Sequence, residues 1–238
     1  MSVNGKTKFF YVNGDSWLIN NVSDIINQPL SQVYNTKHSL NTNIKFDLLK
    51  DKFVINHSIS GGGNLSIIER TIMDLKELDK FGIQPQVCIG LSEVGRDLIR
   101  EFTLVRPQAD MSAYLESILQ HEIKLLQEAL KGYSYYICTA WTSSTIDTRS
   151  IIDFIDCDHR SIAPAYTIGN GIYQWLTDRV DIFKFDKELM IDCIQQKQVF
   201  EQRLLDNPYV DDTLHIKKER CQEVYSKFFQ HVLQEIDK

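Results

Sequence analysis

The 238 residues carry 26 Lys and Arg against 32 Asp and Glu, a formal net charge of −6 with a pI near 5.5. The chain therefore lacks the concentrated cationic face with which a dedicated nucleic-acid binder neutralises phosphates. Hydrophobic residues make up 43%, including 12 Phe, 10 Tyr and 3 Trp, enough to bury a sizeable core and to exclude a disordered chain.

The segment from Met1 to Trp17 has no apolar stretch of the roughly 7–15 residues that a secretory signal requires, and no run approaches the ~18 apolar residues of a membrane span. The expectation is a protein of the cytoplasm, or of the host cytoplasm if virus-encoded, with neither a membrane nor a nucleic acid as partner. Cys88, Cys138, Cys157, Cys193 and Cys221 are odd in number, widely spaced and without a C-x-x-C. They signal neither a zinc site nor a disulfide framework and fit a reducing compartment.

In chain order, the first buried strand is expected over Lys8–Val12, and it runs into Asn13-Gly14-Asp15-Ser16-Trp17. A second strand, Phe53–Asn56, leads into His57-Ser58-Ile59-Ser60-Gly61-Gly62-Gly63-Asn64. Helical spacing of Ile67, Ile68, Ile72, Leu75 and Leu78 follows over Leu65–Phe81. A third strand, Gln86–Leu91, ends in Gly90-Leu91-Ser92-Glu93. The pattern Leu115, Ile118, Leu119, Ile123, Leu126, Leu130 marks a helix over Met111–Leu130, which Asp110 and Ser112 are placed to cap. A fourth strand is expected over Tyr135–Trp141. The stretch Thr142–Phe185, with Pro164, Gly169 and Gly171, lacks periodicity and reads as an irregular insertion or lid. Helical patterns over Lys187–Leu205 and Ile216–Ile236 flank a polar loop, Asp206–Thr213. Strands alternating with helices imply crossovers onto a mostly parallel sheet. With no repeat and no linker, one domain over 1–238 is expected.

Chemistry-bearing residues collect at the strand ends. Ligands of open α/β sheets bind at the C-terminal edge of the strands. There Ser16 can sit beside free backbone N–H groups that favour developing negative charge. The run Gly61-Gly62-Gly63 allows close backbone approach to such a charge, although it also suits a plain turn. Asp212-Thr213-Leu214-His215 can present an imidazole as acid/base, with the carboxylate orienting the ring.

Taken together and in this order, these elements resemble the SGNH (GDSL-like) hydrolase family, over nearly the whole chain. The resemblance implies a flavodoxin-like three-layer α/β/α sandwich with a mostly parallel central sheet. Gly14-Asp15-Ser16 matches the nucleophile block and makes Ser16 the nucleophile. Asn56 and Gly61, spaced N-x-x-x-x-G, match the glycine block, so the Gly61 N–H is an oxyanion donor. Asp212 and His215 match the final D-x-x-H. The third block departs from the family: Gly90-Leu91-Ser92-Glu93 stands where G-x-N-D is usual, and either the Ser92 hydroxyl or Asn64 takes the place of the missing amide. The run Gly61-Gly62-Gly63-Asn64 and the segment Gly90-Leu91-Ser92-Glu93 with Arg96 also resemble a divergent group encoded by tailed phages.

The implied activity is hydrolysis of a small ester or acylated glycan through an acyl-Ser16 intermediate, needing neither metal nor organic cofactor. Two alternatives stand beside it. One is a non-catalytic binding or virion-associated relative that keeps the fold while its oxyanion site has decayed. The other is a nucleotide binder using Gly61–Gly63, against which stands the lack of a G-x-G-x-x-G or a Walker lysine.

The remaining polar residues read more simply. His57 is structural, and Asp156-Cys157-Asp158-His159 mixes hard and soft ligands without a second cluster, against a metal site. Glu93 and Arg96 suit either substrate contact or a surface pair. Trp141, Tyr166, Tyr173 and Trp175 suit either a pocket wall or the core.

Overall fold

The computed structural model describes residues 9–15, 18, 52–58, 63–92, 111–139, 148–155, 195, 198–199, 201–212 and 215–238. These form strands β1 (Phe9–Gly14), β2 (Phe53–Asn56), β3 (Gln86–Leu91) and β4 (Tyr135–Thr139). They also form helices α1 (Asn64–Lys80), α2 (Met111–Ala129) and α3 (Lys218–Ile236), with a 3-10 turn at Ile151–Phe154. The strands lie in the order β2-β1-β3-β4 and every neighbouring pair is parallel. Parallel neighbours need crossovers; α1 supplies the one from β2 to β3 and α2 the one from β3 to β4.

Side chains alternate along a strand, so each strand feeds two faces. Phe10, Val12, Cys88, Tyr136 and Cys138 share one face and pack against Val224, Tyr225, Phe228, Phe229 and Val232 of α3. Tyr11 and Asn13 point the other way, onto α1, and α2 packs beside α1. Helices on both faces of a parallel sheet make the three-layer α/β/α sandwich that the resemblance implies. Phe10, Phe228 and Phe229 are fully buried, each contributing roughly 1.5–3 kcal/mol of apolar burial. Phe10 meets Phe229 edge to face at 5.8 Å between ring centres.

The ends of α1 are legible in its chemistry. Its buried stripe is Ile67, Ile68, Thr71 and Leu75. It stops where Gly82 takes φ +66°, with Gly82 N–H donating to Asp79 O and Ile83 N–H to Leu78 O. That pair of bonds closes the last turn and needs a residue comfortable in the left-handed region.

Most boundaries fall within a residue of the sequence expectation; β4 is described to Thr139, with 140 and 141 outside the described residues, and two other boundaries differ by two residues. β1 runs on to Gly14 rather than ending at Val12, because the buried Asn13 amide finds Ile67 O at 3.1 Å and Thr71 Oγ1 at 3.0 Å. α3 begins at Lys218 rather than Ile216, because Ile216 pairs antiparallel with Val210. Of the stretch expected to be irregular, 148–155 holds the 3-10 turn. Its capping box, with Ser150 N–H donating to Asp153 Oδ2 at 2.7 Å, sends Ile151 and Ile152 into the core. The rest of 142–185 lies outside the described residues. No helix among the described residues is long and apolar enough to cross a membrane.

Candidate active site

Strand register carries the motifs to one edge. Val12 aligns with Asn56 across β1 and β2, and Gly14 with Gly90 across β1 and β3. On the far side Gly90 aligns with Cys138 and Leu91 with Thr139. The segments after Gly14, Asn56 and Leu91 therefore leave the sheet side by side at its C-terminal edge, where open α/β sheets bind ligands.

Ser16 and Gly61 lie outside the described residues, as do Glu93, Arg96, Trp141, Tyr166, Tyr173, Trp175 and the run 156–159. Asp15 and Leu18, on either side of Ser16 in the chain, are joined by a turn hydrogen bond, Leu18 N–H donating to Asp15 O at 3.1 Å. The Leu18 side chain is buried over the strand ends, so tightly that a Cβ on Gly14 would stand 2.8 Å from Leu18 Cδ1 and 2.7 Å from Gly90 O. A Cβ on Gly90 would stand 2.6 Å from the same methyl. A side chain is excluded at Gly14 by the Gly90 backbone and Leu18 together, and at Gly90 by Leu18. Asn56 ties β2 to the same turn, its Nδ2 donating to Leu18 O at 3.2 Å while its Oδ1 accepts the Ser58 N–H at 2.9 Å.

The third block is turned inward. Ser92 Oγ donates to Asp15 Oδ2 at 3.1 Å, and the Ser92 backbone N–H donates to Asn64 Oδ1 at 2.7 Å. The other end of the Asn64 side chain donates from Nδ2 to Glu122 Oε2 at 2.9 Å. Asn64 and Asp15 are fully buried, Ser92 nearly so. The structure thus brings Ser92 and Asn64 together, and bonds each into the protein.

The final motif sits on a short antiparallel excursion. The Val210–Ile216 bridge pins its base. Lys217 N–H to Tyr209 O and Asp211 N–H to His215 O, both 2.8 Å, close it further. The Asp211 carboxylate, one residue before the expected partner, accepts the His215 backbone N–H at 3.1 Å. Asp212 is exposed, and among the described residues no hydrogen bond or ion pair joins its side chain to His215. His215 is half-buried, with its Nε2 shielded from solvent. Leu18, Val210 and Ile216 belong to one buried cluster under α3.

His57 has a different environment. Its Nδ1 lies 2.5 Å from Asp74 Oδ2 on α1, and Tyr11 OH donates to the same oxygen at 2.7 Å. Burial, with the Asp74 carboxylate beside it, holds the Tyr11 phenol well above its ordinary pKa, so it stays a donor. Arg70 donates to His57 O at 2.9 Å. These bonds fasten the end of β2 to α1, a structural employment for His57, with a carboxylate that its sequence neighbourhood did not show. Among the described residues no cluster of three or more His, Cys, Asp or Glu is placed to hold a metal ion.

Sequence reasoning passed over Leu18, Asp211 and Glu122. Glu122 left a trace: it interrupts the stripe of Leu119 and Leu126 on the buried side of α2. Leu18 left none.

No protein-family model matches the chain, and no curated protein matches it. Among solved structures it is similar to the psychrotrophic esterase EstA from Pseudoalteromonas sp., at 14% identity and a TM-score of 0.40, over 96% of this chain and 97% of that one. It is similar also to the YxiM protein of Bacillus subtilis, at 14% identity and a TM-score of 0.40. That match covers 96% of this chain, which spans only 56% of the Bacillus protein.

Proposed function

We propose that the chain is a serine esterase of the SGNH type, cleaving a small ester or an acylated glycan through an acyl-Ser16 intermediate. The observation that supports this reading is the register of Gly14 with Gly90 and of Val12 with Asn56, which brings the starts of three motif segments to the C-terminal edge of the sheet, while Leu18 and Ile216 contribute to one buried cluster.

In the proposed reaction His215 takes the Ser16 hydroxyl proton as the oxygen attacks the ester carbonyl. It then passes that proton to the departing alcohol. Water, deprotonated by the same imidazole, releases the acid and restores Ser16. Asp212 orients the imidazole. The backbone N–H groups of Ser16 and Gly61 receive the oxyanion.

The third donor is the point of departure. A hydroxyl has one proton, and that of Ser92 is directed at Asp15, while one of the two Asn64 amide protons is directed at Glu122. These commitments take the Ser92 hydroxyl out of the oxyanion hole and support one led by two backbone donors. Loss of one donor typically costs about 10²–10³ in rate, which favours reactive substrates with small acyl groups. The same commitments are what favours the second reading, a non-catalytic binding or virion-associated relative.

A fluorophosphonate probe separates the two. The esterase reading expects covalent labelling that mass mapping assigns to Ser16, abolished by Ser16→Ala. Folded protein that takes up no label at Ser16 sinks it and leaves the binding reading.

A further inference from the structure

Glu122 is the buried acid that the proposed chemistry leaves unused. On α2 its neighbours Gln120, His121, Lys124 and Leu125 are exposed, whereas Glu122 is 1% exposed, between Leu119 and Leu126. A carboxylate in that stripe is costly to desolvate, and an apolar side chain of similar volume commonly serves stability at least as well. One of its hydrogen bonds leads toward the strand ends. Glu122 Oε2 accepts from Asn64 Nδ2 at 2.9 Å, Asn64 Oδ1 accepts the Ser92 N–H at 2.7 Å, and Ser92 Oγ donates to Asp15 Oδ2 at 3.1 Å. Asp15 in turn receives the Leu18 N–H on its backbone oxygen. An unbroken hydrogen-bonded line leads from α2, across the first residue of α1 and the end of β3, to the residue that precedes Ser16.

We propose that Glu122 is a positioning residue: through Asn64 and Ser92 it sets the orientation of the Asp15 carboxylate and, through Asp15, the placing of the Ser16 that follows it in the chain. The inference rests on Ser16 being the nucleophile. Its logic is directional. The amide of Asn64 has two distinguishable ends, and the two-point hold works only with the carbonyl toward Ser92. An acceptor at Glu122 and the N–H donor at Ser92 favour that orientation from both sides. A displacement of about 1 Å at a reacting group can cost roughly 10²-fold in rate, so a residue remote from the reacting atoms can matter to them.

The test is the concentration dependence of fluorophosphonate labelling at Ser16 in the full chain. Glu122→Ala is expected to lower the maximal labelling rate roughly tenfold to a hundredfold and to leave the half-saturating probe concentration unchanged. Glu122→Gln, whose carbonyl still accepts from Asn64, is expected to label near the wild-type rate. Hydrogen exchange at the Ser92 amide should quicken in Glu122→Ala and not in Glu122→Gln. If Glu122→Ala fails to fold, Ser92→Ala, which removes only the hydroxyl from the line, is expected to show the same fall in maximal rate. Wild-type labelling that is matched by folded Glu122→Ala, or by Ser92→Ala in its place, overturns the proposal and leaves the esterase reading standing. A wild-type chain that takes no label overturns both.

Discussion

Asp211 and Asp212 stand side by side before His215, and the fold treats them differently. Asp211 is half-buried and holds the His215 backbone, whereas Asp212 faces solvent. Asp211→Ala should therefore cost about 1 kcal/mol of stability, the usual worth of one such hydrogen bond, measurable as a lower urea midpoint at unchanged slope. Asp212→Ala should leave stability within about 0.5 kcal/mol and reduce labelling at Ser16, if Asp212 orients the imidazole. Should Asp212→Ala label at full rate while Asp211→Ala does not, the orienting role passes to Asp211. The sequence reads D-D-T-L-H, and spacing alone cannot say which of two adjacent carboxylates turns inward. Ser92 teaches the same lesson. Its place in a glycine-led block was legible, but the destination of its one proton depends on Asp15, far away in the chain.

At the level of elements, the glycines of two motifs turn out to share one cause. Gly14 and Gly90 lie opposite each other in register, and Leu18 fills the space their missing side chains leave. Gly90→Ala should destabilise by about 1–3 kcal/mol, as overpacking does in a filled core. Leu18→Ala should cost about 2–5 kcal/mol on its own, yet in the Gly90→Ala background it also relieves the clash. The two changes together should fall short of their sum, which thermal melts of the four proteins will show. Strand and helix identities were largely legible here, since β-branched and aromatic runs and the stripes of α1 and α2 carry their own periodicity. The ends were less so. Apolar residues stop at Val12, but Asn13 keeps β1 going because α1 offers its amide an acceptor, and that partner is 54 positions away. Ile216 fits the spacing of α3, but a bridge to Val210 claims it first.

For the molecule as a whole, the alternation of strands and helices announced a mostly parallel sheet with crossover helices, whereas which helix covers which face was decided by contacts such as Phe10 with Phe229 that no local pattern encodes. The same core governs the thiols. Cys88, Cys138 and Cys221 are buried, and burial raises each thiol, that of Cys221 to about 11. The thiolate is the reactive form, so iodoacetamide at mildly alkaline pH should leave these three unmodified in the native protein and modify them once urea unfolds it. Modification of any of them without denaturant would mean that the core opens locally there.

The placement of α3 has a consequence for how the chain is made. It is the last element in order, yet it covers the face formed by Phe10, Val12, Cys88, Tyr136 and Cys138. Until α3 is available, a nascent chain leaves open the part of that face which Val224, Tyr225, Phe228, Phe229 and Val232 cover, a condition that invites aggregation. Synthesis of this protein is therefore expected to lean on a chaperone until its closing segment emerges, and a chain cut short before α3 should be recovered in inclusion bodies.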